Sequence, residues 1–138
     1  MGVGAAAVID DPAGRVLLVQ RGPEQRGAGL WCLPCGYVGW GEDVRDTAAR
    51  EALEEASVAV EIGEVLQVAV NRHDPDRPTV GIWFAARLVT LQAQPRAGGD
   101  AIAVGWFDPA TPPPLAFPTD ASVLAALAAR CPGQAPRP

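Results

Sequence analysis

The chain has 138 residues, 49% of them hydrophobic, with 16 acidic residues against 11 arginines and no lysine, for a formal net charge of −5. That length suits one folded unit with a real core, and the apolar share excludes a disordered chain. Without lysine there is no Schiff-base chemistry and no P-loop of the usual kind; one histidine (His73) makes no His-rich metal cage, and two serines (Ser57, Ser122) outside any G-x-S-x-G setting argue against a serine hydrolase.

Residues 3–9 and 15–20 read as strands joined by a turn at 10–14. A Gly-rich loop (22–30) leads into the apolar stretch WCLPCGYV and a Gly-Trp-Gly turn. Residues 43–56 are the best helix in the chain: alanine-rich, free of Gly and Pro, and opened by acidic residues that suit the helix dipole. Two strands, 61–71 and 79–91, flank the loop His73 to Pro78; Gly98-Gly99-Asp100 is a turn and 104–107 a short strand. A Pro-rich link (112–114) precedes a second helix, 119–130, and the tail 131–138, which includes Cys131, reads as frayed. No repeat and no long linker divides the chain, so residues 1–130 are expected to form one domain, an α/β sandwich around one sheet. Strand one begins almost at Met1, so a substrate-binding element ahead of it is expected to be absent or supplied by a partner chain.

The acid excess argues against gripping long nucleic acid by charge, yet leaves small phosphorylated substrates open, because bound cations invert the local field. No apolar run approaches the ~18 residues of a membrane span, and no basic segment opens the chain as in a signal peptide. Three cysteines are too few for a secreted disulfide scaffold, so the expected setting is cytoplasmic, without membrane contact.

At ~100° per residue, Ala48, Ala49, Ala52, Leu53 and Ala56 share one broad side of the first helix, while Glu51, Glu54 and Glu55 share another. Three carboxylates at i, i+3 and i+4 repel one another unless positive charge lies between them. Arg50, four residues before Glu54, offsets one; a divalent cation would relieve the rest, and oxygen-only ligands suit Mg²⁺ or Mn²⁺. Taken alone, a helix of this composition reads as an ordinary solvated face rather than a metal site. The Gly-rich loop ahead of it (Gly36, Gly39, Gly41) shifts the balance, since it lets Glu42 reach Arg50 and turns a carbonyl near Gly36 toward the same cation.

GYVGWGEDVRDTAAREALEEASV (36–58) resembles the Nudix box: Gly36, five residues, Glu42, seven residues, Arg50-Glu51, and then Glu54-Glu55. GRVLLVQRG ahead of it, and VGWFDP and LAFPTDASVL after it, sit in the family's order. Three positions depart: Ser57 stands where the box has Gly, Cys35 precedes Gly36 where Gly is frequent, and Ala52 is small for its aliphatic position. Serine in place of a left-handed glycine cap should cost about 1 kcal/mol without removing a ligand.

The resemblance implies an α/β/α sandwich around a mixed β-sheet. It also implies a metal-dependent pyrophosphohydrolase in which water attacks phosphorus in a nucleoside diphosphate linked to another group. It makes Glu51, Glu54 and Glu55, with the Gly36 carbonyl, the ligands of Mg²⁺ (or Mn²⁺), and Glu51 or Glu54 the base. Arg50 and Glu42 orient, and Asp100 occupies about the place of an assisting acid in many relatives, although a turn Asp after Gly-Gly needs no such role. Arg21, Tyr37 and Trp40 are the expected substrate contacts; Arg26, Arg72 and Arg77 are further candidates for phosphate, whereas Trp83 reads as core and His73 as an exposed loop residue. LPCGY and LAFPT are similar to relatives acting on ADP-ribose or dinucleotide cofactors, and Pro75 or Pro78 fits a proline that some ADP-ribose-cleaving relatives carry. A homodimer is compatible with the resemblance but not shown by the sequence.

Two other readings remain. One is a nucleotide-sensing module of the same fold without turnover. The other is a thiol-redox protein, because Trp31-Cys32-Leu33-Pro34-Cys35 resembles the W-C-x-P-C motif of thioredoxin-like proteins. There the first Cys opens a helix, and the Gly-rich sequence after Cys35 cannot make one.

Overall fold

The computed structural model describes residues 1–72 and 74–130. His73, Cys131 and the tail 131–138, all given a role or a state above, lie outside the described residues.

In chain order the elements are β1 (Gly2–Ile9), β2 (Val16–Arg21), β3 (Trp31–Cys32), β4 (Cys35–Tyr37), α1 (Val44–Ala56), β5 (Val60–Asn71), β6 (Thr79–Leu88), β7 (Ala101–Phe107) and α2 (Pro118–Ala128). The class is the expected one, with a mixed sheet and two helices. The strands, however, divide into two sheets where one was expected: a four-stranded sheet ordered β4-β1-β6-β5 and a three-stranded antiparallel sheet ordered β3-β2-β7. The apolar stretch WCLPCGYV explains the split. Pro34 cannot donate to a ladder, so the run breaks into β3, which pairs with β2, and β4, which pairs with β1. β1 and β6 run parallel, which requires the long crossover that contains α1.

Alternation along β1 feeds two cores. Ala5, Ala7 and Ile9 face the side covered by α1, and Ala6 and Val8 face the side where Val123 and Leu124 of α2 pack. Helix α1 presents Ala48, Ala52 and Ala56, each fully buried, so small side chains let the helix lie close to the sheet. Leu53, expected on that buried side, is 58% exposed. It lies ~100° around the helix from Ala52, beyond the narrow stripe that three alanines define. Strand β6 stops at Leu88 rather than residue 91, and β7 begins three residues earlier than expected, at Ala101.

Candidate active site

The start of α1 is stapled to the loop before it. Asp43 caps the helix by accepting from the Arg45 backbone N–H at 2.8 Å. Glu42 accepts from Gly39 N–H (3.1 Å), from Thr47 Oγ1 (2.7 Å) and from Arg50, whose Nε lies 2.7 Å and Nη2 3.0 Å from its two oxygens. That bidentate pair holds the Glu42 carboxyl far down, at about 2, with Thr47 and Gly39 adding to the effect. Arg50 then turns its Nη1 to Glu51 at 2.6 Å and to Glu54 at 3.3 Å. One arginine thus gathers three of the motif's carboxylates.

Glu55 lies deeper. Its Oε1 accepts from the Cys35 backbone N–H at 3.3 Å, and its carboxyl neighbours that of Glu51. Burial, followed by the neighbouring Glu51, pushes the Glu55 carboxyl up to about 10, so with no cation beside it Glu55 keeps its proton at neutral pH. Gly36 is glycine for a steric reason: a Cβ there would sit on the Glu51 carboxyl group.

These groups stand at one end of a cavity of about 380 Å³ between the two sheets. Glu51, Glu55 and Gly36 line the acid end, Arg21 and Tyr37 line the walls, and Asp100 lines it as well. Arg21 is fixed by Nε donating to the Arg26 carbonyl at 2.6 Å and by its guanidinium stacked 4.8 Å from the Phe117 ring centre. Tyr37 is about half exposed, with the Arg77 guanidinium 5.4 Å from its ring centre. Asp100 arrives because the loop before β7 docks on the end of α1: Gly98 N–H donates to Glu55 O at 3.0 Å and Arg96 N–H to Ala56 O at 2.9 Å.

Trp40 does not join them. It is wholly exposed and lines no part of this cavity, because the Gly39–Gly41 turn, closed by Glu42 N–H donating to Gly39 O at 3.1 Å, carries it outward. Glu54 stands on the solvent side of Arg50, outside the cavity lining. Arg26 instead pairs with Asp74 at 3.7 Å. Among the described residues, no three His, Cys, Asp or Glu side chains are gathered as a ready-made metal cage.

The family model described as NUDIX domain matches residues 1–127. The chain belongs to the NUDIX domain family. A NUDIX hydrolase from Nitrosomonas europaea superposes with a TM-score of 0.80 at 29% identity, over 96% of this chain and 73% of that one. An RNA pyrophosphohydrolase from Dinoroseobacter shibae is 48% identical over 59 residues, 43% of this chain and 36% of that protein. Nucleoside diphosphate-linked moiety X motif 6 of Xenopus laevis is 35% identical over 71 residues, 51% of this chain and 32% of its own length. The chain therefore spans about a third of the length of these curated relatives.

In this NUDIX domain the motif departures prove mild. Ser57 takes the left-handed conformation itself (φ 59°, ψ 33°), its N–H donating to Leu53 O and its hydroxyl to Arg96 O, each at 3.0 Å. Cys32 and Cys35 are free thiols in two short strands, and neither opens a helix, which removes the geometry the redox reading needs.

Sequence reasoning passed over part of the cavity wall. Asp120 lies there, buried in the first turn of α2, accepting from Leu33 N–H at 3.0 Å and from Trp83 Nε1 at 2.8 Å; burial pushes its carboxyl up to about 6. Gln25, Asn71 and Thr79 also line the cavity. An Asp opening an alanine-rich helix reads as a dipole partner, and nothing local marks it as a wall residue.

Proposed function

We propose that the chain hydrolyses the phosphoanhydride of a nucleoside diphosphate linked to another moiety, with Mg²⁺ or Mn²⁺ as its metal. The observation that carries this reading is the Glu51–Glu55 carboxyl pair against Gly36 at the acid end of the cavity. Two neighbouring carboxyls repel when both are ionised, so a divalent ion can take the place of the proton that burial holds on Glu55. Glu51, Glu55 and the Gly36 carbonyl would hold it, joined by Glu54 once Arg50 releases it; this donor set is all oxygen and fits Mg²⁺ or Mn²⁺ rather than zinc. When bound, such an ion neutralises phosphate oxygens and lowers the pKa of its water.

The chain's own groups do the positioning. Arg50, anchored by Glu42, sets the rotamers of Glu51 and Glu54. The Cys35 N–H fixes Glu55. Glu51 or Glu54 takes the proton of the attacking water, Arg21 faces a phosphate from the wall, and Tyr37 borders the organic group. Residues 1–130 act as one domain. ADP-ribose, or a dinucleotide cofactor of similar build, is the favoured substrate, because the cavity extends well beyond the space a diphosphate alone would fill.

A panel of ADP-ribose, FAD, a CDP-alcohol and an oxidised nucleoside triphosphate, incubated with Mg²⁺ or Mn²⁺ and followed by product identification, tests this. At least one should yield a nucleoside monophosphate and a phosphorylated partner, or the equivalent anhydride cleavage. Tight ADP-ribose binding without product under either metal would instead establish a nucleotide-sensing module.

A further inference from the structure

Thr47, Arg50, Glu51 and Glu54 of α1 stand at i, i+3, i+4 and i+7, so they form one stripe along the helix. Arg50 and the two glutamates belong to the motif. Thr47 does not, and its side chain is fully buried. A buried hydroxyl costs stability unless it is bonded, and valine would fill nearly the same space without that cost. Packing therefore does not ask for a hydroxyl here.

The single proton of that hydroxyl has two acceptors in reach. The Asp43 carbonyl, 3.2 Å away, already accepts from Thr47 N–H at 3.0 Å. Glu42 Oε1 is nearer, at 2.7 Å, and charged, so the proton goes there. Gly39 and Arg50 also donate to Glu42, but Gly39 lies in the same turn and Arg50 is the group being held. Thr47 is thus the partner that ties the Glu42 carboxylate to the packed interior, on a β-branched side chain whose χ1 is stiff. Glu42 and Arg50 are long side chains, both partly exposed, so as a pair they could swing together without breaking their own bonds. Fixing Glu42 Oε1 removes that freedom. The constraint passes through Arg50 to Glu51, which lines the cavity, and to Glu54.

We propose that Thr47 is a positioning residue for anhydride hydrolysis: its hydroxyl locks the Glu42–Arg50 pair, and through that pair it holds Glu51 and Glu54 in place. The proposal rests on the hydrolase reading above and adds the interior group that steadies its carboxylates. Two substitutions separate the lock from packing. Valine keeps the shape and loses the hydroxyl; serine keeps the hydroxyl and leaves a methyl-sized hole. Packing ranks Thr47→Val above Thr47→Ser, and the lock ranks them the other way.

Two measurements on the full chain test it. In metal-free protein, NMR follows the exchange of Arg50 Nε–H with water, the signal being identified by its loss in Arg50→Lys. Exchange should run about tenfold faster in Thr47→Val than in the wild type and return to within about twofold in Thr47→Ser, because a hydrogen bond to a charged group is worth about that factor. On the best substrate of the panel, kcat of Thr47→Val should fall about tenfold with KM changed less than about twofold, and Thr47→Ser should restore most of the rate. Arg50 exchange unchanged in Thr47→Val overturns the proposal. So does faster exchange with kcat within about twofold of wild type, or a rate that follows melting temperature across the variants instead of the hydroxyl. If Thr47→Val does not fold, Thr47→Ala against Thr47→Ser makes the same comparison. A wild type that turns over no member of the panel ends the hydrolase reading and the part of Thr47 in it. The exchange measurement needs neither metal nor substrate, so that failure and an absent lock are read separately.

Discussion

Asp120 is a buried acid whose two oxygens accept from Leu33 N–H and Trp83 Nε1. Its carboxyl titrates near 6 in the fold, against 3.8 for an ordinary Asp. A raised folded value means that the native state holds the proton more tightly. The stability Asp120 contributes is therefore complete below pH ~4 and is lost as pH rises through ~6, by about 3 kcal/mol at most. Asp120→Asn removes that titration. Melting of the two proteins across pH 4–8 should show the wild type losing ground to Asp120→Asn as pH rises; a constant gap would mean the carboxyl stays ionised throughout. Gly36 gives a second test at this scale. Because a Cβ would sit on the Glu51 carboxyl, Gly36→Ala should cut turnover by about 10² or more through displacement of Glu51, with a modest change in melting temperature. Turnover within twofold of wild type would show that Glu51 need not lie there.

Helix α1 was the most legible element, because its alanine stripe and its acidic sector both follow the 3.6 period and are local in sequence. The same period misplaced Leu53, since a helix packed through three alanines buries a narrower stripe than the pattern allows. Strands β3 and β4 were not separable within WCLPCGYV, as two- and three-residue strands carry no alternation to read. The helix's end carries its own prediction. Ser57 pays for a left-handed backbone and recovers part of the cost through its hydroxyl bond to Arg96 O. Ser57→Gly should raise stability by less than about 1 kcal/mol and leave turnover unchanged. Denaturant unfolding measures this, and a loss of stability would show that the hydroxyl bond outweighs the strain.

Across the molecule, the cavity joins groups from opposite parts of the chain. The acid end comes from one contiguous stretch, 36–55, and that is why its residues could be named from the sequence. Arg21, Asn71, Asp100 and Asp120 reach the same cavity only through strand pairing and loop docking over long sequence separations, which no local pattern encodes. Trp40, adjacent to the motif in sequence, misses the cavity for the converse reason: proximity along the chain gives no direction, and a glycine turn sends it to solvent. Among the described residues no helix is long and apolar enough to cross a membrane. The hydrolase proposal depends most on the buried carboxyl of α1, Glu55. The most direct measurement is kcat of Glu55→Gln against wild type on the best substrate of the panel, at saturating Mg²⁺, with folding checked by circular dichroism. Turnover should fall by about 10³ or more in a protein that remains folded; a folded Glu55→Gln turning over at the wild-type rate would mean that Glu55 is not needed for the reaction.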